Sequence, residues 1–236
     1  MSDELDQFPS RDPAAAPRLK RPLPFDPDCL RFAVPIFIVG ALGWTWGWWW
    51  LWWPALLALI AVLGFFRDPP RRGPDIPGAL WSPADGVVKS IIETRDPACG
   101  PVPGCCIRIF LSVLNVHVNR APCAGVVERI QYVRGKFLDA RLEESGPLNE
   151  SNWIFIRCGR HRVTVRQIAG KIARRIVCRI QPGQDLFRGQ RIGLIRFGST
   201  TELYLPAEAE IRVQIGQAVR GADTVLAILP DQSSGL

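Results

Sequence analysis

The sequence predicts a mainly β protein, an antiparallel sandwich or barrel-like domain behind an N-terminal helical membrane anchor. Three observations predict this class: one long uncharged apolar segment, a series of short Val- and Ile-rich segments after Pro77, and no helical periodicity outside the apolar segment. The predicted division is a disordered basic leader over 1–28, an anchor over 29–68 and a β domain over 69–236.

Composition limits the partners and the redox compartment. The chain has 236 residues and a formal net charge of +7, which suits an anionic partner such as nucleic acid or an acidic membrane surface. The apolar segment favours lipid headgroups, so we expect no nucleic-acid partner. The seven cysteines are odd in number and form no C-x-x-C pair, which predicts reduced thiols in a reducing compartment and no metal site.

The leader, residues 1–28, is rich in proline and charge and cannot bury much apolar surface, so it is predicted to be disordered. It does not resemble a secretory signal, because the apolar segment begins too late and lacks a clear cleavage pattern.

The anchor contains no charged residue from Phe32 to Phe66. One straight helix of this length would far exceed the ~30 Å of a bilayer core and would put seven tryptophans between 44 and 53 near its middle. Tryptophan prefers the interface, so a hairpin bent near 48–50 is predicted, with a single tilted span as the alternative.

Basic residues flank the anchor on both sides, Arg18, Lys20, Arg21 and Arg31 before it and Arg67, Arg71 and Arg72 after it. The positive-inside rule therefore places both ends, and the β domain, on the cytoplasmic side of the cell (inner) membrane.

The β domain is predicted from Val- and Ile-rich segments that Gly and Pro separate. These segments are 86–93, 106–113, 125–133, 153–158, 161–168, 172–180, 191–197, 201–205, 210–215 and 224–229. An internal echo relates "PGQDLFRGQRIGLI" (182–195) to "IGQAVRGADTVLAI" (215–228), in the turn-and-strand rhythm of lipoyl-type domains.

Three motifs carry candidate chemistry: "WSPADGVV" with Asp85, "FLSVLNVHVNRAP" with His117, and "RFGSTTE" with Gly198 and Ser199. Each has an ordinary structural interpretation as a turn aspartate, a satisfied histidine, or a bulge with a surface hydroxyl. The unusual feature is a Gly-Ser step between two strand-like segments without an Asn-Gly or Asp-Gly turn.

Taken in order behind a segment that ends "FFRDP", these motifs resemble the phosphatidylserine decarboxylase family, specifically its short bacterial and archaeal type. The stretch "YVRGKFLDARLEESGPLNESN" (132–152) is similar to a loop of that family, and the resemblance covers about residues 34–230. It implies self-cleavage between Gly198 and Ser199 into chains 1–198 and 199–236, which stay together as a heterodimer. It also implies a pyruvoyl group derived from Ser199, which decarboxylates phosphatidylserine in the membrane through a Schiff base.

The resemblance suggests a role for several further residues. A serine hydroxyl needs a base, for which His117 is the candidate, with Asp85 orienting its ring. Lys136 and Arg120 are candidate contacts to the lipid phosphate. Longer relatives have H-x-x-H where this chain has "HVNR", so either His117 serves both maturation and turnover or another group protonates Cα.

Two other classes of function remain open at this stage. A non-enzymatic, membrane-tethered lipoyl-like module that docks partner proteins would explain the echo and the anchor, but it leaves Gly198-Ser199 unexplained and lacks the expected exposed carrier lysine. A serine hydrolase would need a G-x-S-x-G elbow, which the sequence does not contain around Ser199. The sequence leaves open whether a higher oligomer forms.

Overall fold

The computed structural model describes residues 24–99, 104–139, 145–171, 175–196 and 199–230. The helices are α1 (Leu30–Thr45), α2 (Trp52–Phe65) and α3 (Ser145–Leu148). The strands are β1 (Ala79–Trp81), β2 (Gly86–Thr94), β3 (Gly104–Leu111), β4 (Val118–Arg120), β5 (Gly125–Val133), β6 (Ser151–Cys158), β7 (His161–Ala169), β8 (Ile176–Cys178), β9 (Asp185–Leu186), β10 (Arg191–Ile195), β11 (Ser199–Pro206), β12 (Glu210–Ile211), β13 (Ala218–Val219) and β14 (Val225–Ile228).

The strands confirm the predicted mainly β, antiparallel fold. An eight-stranded sheet has the order β13-β2-β3-β11-β7-β6-β5-β9, and two three-stranded sheets have the orders β1-β14-β12 and β4-β10-β8. One apolar core contains residues of all three sheets, for example Leu80 of β1, Ile192 of β10 and Leu203 of β11. The three sheets therefore enclose a common interior.

The sheet order shows that the domain consists of two nested halves. One half comprises β1–β3 and β11–β14, and the other comprises β4–β10, which is inserted between β3 and β11. In the eight-stranded sheet the halves meet at the β11–β7 pair. Outwards from this pair, β3, β2 and β13 of one half correspond to β6, β5 and β9 of the other. Each half also supplies its own three-stranded sheet.

The sequence echo has a structural counterpart in the two halves. In one, the Gly216 N–H donates to the Val88 carbonyl at 2.8 Å; in the other, the Gly183 N–H donates to the Val127 carbonyl at 2.8 Å. Both glycines have positive φ, at 89° and 81°, which explains why glycine recurs at these turns.

The two halves differ at the turn that joins their central strands. Cys158 and His161 pair across the two-residue turn between β6 and β7. At the corresponding end of β3, Leu111 pairs with Ser199, and the whole second half lies between these two residues along the chain. Ser199 therefore begins a central strand where the other half has a tight hairpin.

The apolar segment folds as two antiparallel helices. A Cβ on Gly40 would lie 3.1 Å from the Cβ of Ala55, and the rings of Trp44 and Trp52 lie 6.1 Å apart. At ~1.5 Å per residue, α1 covers about 24 Å and α2 about 21 Å. The helix Pro27–Thr45 is long and apolar enough to cross a membrane, whereas Trp49–Phe65 is shorter.

Much of the hairpin's apolar surface is left uncovered by the other residues that the structure describes. The exposed side chains include Phe37, Val39, Trp53, Leu57 and Ile60. A continuous apolar surface of this kind indicates membrane association.

The end of the predicted leader has a structure of its own. Asp26 is buried, and its carboxylate pairs with Arg179 at 2.5 Å. Residues 24–28 thus attach the hairpin to the β domain, while the leader prediction for 1–23 lies outside the described residues.

The long strands agree with the predicted segments, and several ends differ. The segment predicted over 106–113 begins at Gly104 and ends at Leu111, where a turn follows, and the one predicted over 210–215 contains only β12. Of 172–180, residues 176–178 form β8, and 172–174 lie outside the described residues. Four short strands, β1, β4, β9 and β13, had no predicted counterpart.

Candidate active site

Ser199 is the first residue of β11 and lies between Leu111 of β3 and Ala169 of β7. Its side chain has the same orientation as those of Thr201 and Leu203, because side chains alternate along a strand. The residue is 0% exposed, and within the described part of the chain its Oγ has no hydrogen-bond partner. A buried polar atom without a partner costs free energy, so the site holds this hydroxyl in an unfavourable state. Gly198, the other half of the predicted cleavage site, lies outside the described residues.

His117 is buried at the foot of the hairpin. Its ring lies 4.2 Å from the Phe65 ring, centroid to centroid, and its Nδ1 lies 2.8 Å from the Asn115 carbonyl. Burial lowers the pKa of His117 to about 4, and the charge of Arg67 acts in the same direction. A carbonyl can only accept, so Nδ1 carries the proton of the neutral ring and Nε2 is the basic nitrogen.

The backbone brings His117 and Ser199 to the same end of the sheet. β3 ends at Leu111, the partner of Ser199, and continues through one turn to His117. The His117 carbonyl accepts a hydrogen bond from the Ile195 N–H at 3.3 Å, shortly before Ser199 in the chain.

Asp85 lies in the turn before β2 and is largely buried. Its Oδ1 accepts from the Gly221 N–H at 2.7 Å, and its Oδ2 pairs with Arg71 at 2.7 Å. Burial raises the pKa of Asp85, and the Gly221 N–H and the positive charge of Arg71 oppose this effect. The turn stays beside the His117 segment because the Pro83 carbonyl accepts from the Arg120 N–H at 2.9 Å.

The structure shows which groups hold the imidazole and the carboxylate, and a role for Asp85 in orienting His117 stays a prediction. In the structure the Asn115 carbonyl holds Nδ1, whereas the Asp85 carboxylate is engaged by Arg71 and Gly221. Asp85 and His117 nevertheless share the electrostatic influence of Arg67, which lowers the pKa of both.

The two predicted phosphate contacts occupy different environments. Arg120 is buried, pairs with Asp68 and donates to the Gly189 and Pro69 carbonyls at 3.1 and 3.2 Å. Its guanidinium therefore fixes the linker that follows the hairpin. Lys136 is exposed, and its backbone N–H donates to the Leu148 carbonyl at 2.7 Å.

A buried polar chain near Ser199 was not predicted from the sequence. The Asn152 amide donates to Gln167 at 3.0 Å, Gln167 donates to Asn119 at 2.8 Å, and Asn119 donates to the Thr201 hydroxyl at 3.3 Å. All four residues are buried. In the sequence these residues appear only as single polar residues among apolar ones. That pattern shows neither which residues they bond to nor how deeply they are buried.

One end of the β domain thus holds a neutral buried imidazole and a buried serine hydroxyl that has no hydrogen-bond partner among the described residues, an arrangement that suits an enzyme. The exposed apolar hairpin beside them associates this enzyme with a membrane. A carrier or docking module would have no need of either buried group.

Comparison with known proteins identifies the family. The phosphatidylserine decarboxylase family model matches residues 59–227. The phosphatidylserine decarboxylase proenzyme of Burkholderia mallei (strain SAVP1) is 42% identical over 201 residues, which cover 85% of this chain and 89% of the relative. The proenzymes of Nitrosomonas europaea and Ehrlichia chaffeensis are 43% and 44% identical over 197 residues, 83% of this chain and 88% and 87% of theirs.

The chain therefore belongs to the phosphatidylserine decarboxylase family. This result confirms both the resemblance drawn from the three motifs and the prediction of an enzyme.

Proposed function

We propose that the chain cuts itself between Gly198 and Ser199 and then decarboxylates phosphatidylserine to phosphatidylethanolamine with a pyruvoyl group derived from Ser199. The observation that carries this proposal is the buried Ser199 hydroxyl, which has no hydrogen-bond partner within the described residues. It fits a residue that is consumed during maturation, because such a hydroxyl needs to be held beside the neighbouring peptide bond rather than tied to another group.

In the maturation step His117 Nε2 accepts the Ser199 hydroxyl proton, and Oγ attacks the Gly198 carbonyl carbon. The peptide C–N bond breaks as the C–O bond forms, so the amide becomes an ester and the amine of Ser199 takes up the proton. In the elimination that follows, a base takes the Cα proton of residue 199 as the Cβ–O bond breaks, which leaves a carboxylate on Gly198 and a Cα=Cβ double bond, the dehydroalanine, at 199. Hydrolysis of the dehydroalanine releases ammonia and gives the pyruvoyl cap.

The pyruvoyl carbonyl supplies an electron sink for the breaking bond between Cα and the substrate carboxylate. The residues around the pyruvoyl group would supply proton transfer and a buried setting for the reaction. His117, neutral at pH 7, can hold and return a proton at Nε2, and the buried setting favours loss of the carboxylate charge. Arg71 holds Asp85 in place and keeps a buried carboxylate compensated.

The hairpin is proposed to hold the enzyme at the cell membrane with the β domain on the cytoplasmic side. Arg67, Arg71 and Arg72 lie directly after α2, and Arg31 lies at the start of α1. Cationic residues at the base of a membrane hairpin favour the cytoplasmic face. Lys136, which is exposed, remains the candidate contact for the lipid phosphate.

Intact mass measurement of the purified full-length protein tests the proposal. The wild type should give two chains, 1–198 and 199–236, the smaller with a blocked amino terminus. Ser199→Ala should give one chain of about 26.3 kDa without decarboxylase activity.

Ser90 provides a matched control for this substitution. Its Oγ is also buried and without a hydrogen-bond partner within the described residues, yet it lies in β2 away from a predicted cleavage site. Ser90→Ala should be processed like the wild type. A free serine at the start of the small chain, or an active wild type made of one uncut chain, would contradict the proposal.

A further inference from the structure

An exposed apolar turn, residues 112–115, connects β3 to His117. Leu114 is 82% exposed, more than any other large apolar side chain in the described residues, and Val113 is 46% exposed. Turn tips usually carry Gly, Pro, Asn, Asp or Ser, and two adjacent apolar side chains in water are unfavourable. This turn therefore presents the residue types that would suit an apolar environment.

The exposure of the turn does not come from a loose chain. The Asn115 N–H donates to the Ser112 carbonyl at 3.0 Å, and the Asn115 Oδ1 accepts from the Ser112 N–H at 2.9 Å and from its hydroxyl at 2.7 Å. These three bonds close the turn from both sides and hold Val113 and Leu114 at its tip.

The turn lies level with the foot of the hairpin. One guanidinium joins them, since Arg67 Nη1 donates to the Gly64 carbonyl in the last turn of α2 at 2.6 Å and Nη2 donates to the Leu114 carbonyl at 2.6 Å. Phe65 and His117 form a second link, since their tilted rings lie 4.2 Å apart, centroid to centroid. The turn is thus tied to the foot of the hairpin at two points.

We propose that Val113 and Leu114 insert into the lipid bilayer surface beside the hairpin and act as a second membrane contact. The cationic Arg67 between them and α2 suits the level of anionic headgroups. This inference deepens the proposed function and rests on it, because insertion would hold His117 and the start of β11 at the depth of the phospholipid headgroup. The substrate could then react while its acyl chains stay in the bilayer.

Photo-crosslinking tests insertion directly and does not depend on activity. The full-length protein with Leu114→benzoylphenylalanine is placed in phosphatidylcholine vesicles with labelled acyl chains and irradiated. Lipid adducts are expected at position 114.

The control position is Ile92, an apolar side chain that is 51% exposed on β2. It pairs with Cys106, about 17 Å along β3 from Leu111, at the other end of the sheet. Few lipid adducts are expected there. Adducts at 114 no more frequent than at 92, or crosslinks from 114 to a second copy of the chain, would overturn the proposal.

A kinetic comparison tests the consequence for the substrate. Leu114→Glu is compared with Ile92→Glu on vesicle phosphatidylserine and on a short-chain, water-soluble phosphatidylserine. The ratio of vesicle rate to short-chain rate should fall about tenfold for Leu114→Glu, because a charge replaces a side chain buried in lipid, and should stay at the wild-type value for Ile92→Glu. An unchanged ratio for Leu114→Glu would overturn the inference. A wild type that decarboxylates neither substrate would instead refute the proposed function and leave the crosslinking result to stand.

Discussion

At the scale of single residues, the protonation of His117 depends on its burial. A pKa near 4 keeps the imidazole neutral at pH 7, which is the state that the proposed transfer of the Ser199 proton to Nε2 requires. An ordinary histidine, with a pKa of about 6.5, would begin to lose this ability at mildly acidic pH. In the proposed mechanism the foot of the hairpin therefore contributes to the chemistry as well as to membrane attachment.

Phe65→Ala tests this dependence. Removal of the ring at 4.2 Å admits water to His117, which should raise its pKa towards 6.5. Since the proposed base is neutral His117, the acid limb of self-cleavage should move to higher pH. The precursor is made by cell-free synthesis into nanodiscs and transferred to buffers between pH 4 and 8. The rate of self-cleavage at each pH is then measured from the loss of the uncut chain on a gel.

Phe66→Ala is the matched control for Phe65→Ala. Phe66 is also buried, directly after α2; its ring stacks on Phe32 at 5.6 Å and meets the Phe65 ring edge-on at 5.0 Å. An equal shift in the acid limb for both variants, or no shift for either, would contradict a specific role of Phe65.

Some roles at this scale could be predicted and others could not. Ser199 and His117 stand in recognisable motifs, so the sequence alone predicts a role for each of them, and these roles stay predictions. The orientation of the imidazole depends on the Asn115 carbonyl, a backbone group whose direction is set by the turn and leaves no trace in the residue types. The position of the Arg120 guanidinium likewise depends on its ion pair with Asp68, a residue that is remote in sequence.

At the scale of elements, β11 carries polar residues that are buried on both faces. On the face opposite Ser199, Glu202 pairs with Arg108 at 2.7 Å and with Arg166 at 3.2 Å and accepts from the Tyr204 hydroxyl at 2.9 Å. This cluster joins β11 to both neighbouring strands, β3 and β7. The predicted strand began only at 201, because Ser199 and Thr200 look like a connection unless their tertiary partners are known.

Glu202→Gln should destabilise the protein by about 3–5 kcal/mol, since it removes the compensating charge from two partly buried arginines. The control is Glu210→Gln, whose pair with Arg212 is largely exposed and should contribute about 0–1 kcal/mol. Thermal unfolding of both variants in the same detergent measures the difference. Equal midpoints would show that the cluster is not stabilising.

Strand length explains which other elements could be predicted. β2, β5, β6 and β7 have eight or nine residues, enough for a repeated pattern of branched apolar side chains. β9 and β13 have two residues each and exist only because β5 and β2 supply their hydrogen bonds. A pairing between segments remote in sequence gives no local periodicity.

At the scale of the whole molecule, the nested halves share a structural motif, while the site occurs once. A Cβ on Gly86 would lie 2.2 Å from the Phe110 carbonyl oxygen, and one on Gly125 would lie 2.3 Å from that of Arg157. Both positions thus require glycine for the same close approach between strands. The residue before Gly86 is Asp85, whereas the residue before Gly125 is Ala124, so the carboxylate belongs only to the half that contains Ser199.

The nesting also determines what self-cleavage does to the fold. The proposed small chain, 199–236, contains β11–β14. β11 lies between β3 and β7, β13 pairs with β2, and β14 pairs with β1, so three of its four strands are paired to the large chain. Its release would open the centre of the eight-stranded sheet and expose core residues such as Leu203 and Leu226.

We therefore expect the two chains to stay together at a 1:1 ratio after cleavage. In mild detergent they should elute from size exclusion at the same volume as the uncut Ser199→Ala precursor, and they should separate only in a denaturant such as sodium dodecyl sulfate. The paired strands provide the physical reason, because cleavage removes one covalent bond and none of the backbone hydrogen bonds on either side of β11. Loss of the small chain in mild detergent would show that the sheet depends on the intact connection between the halves.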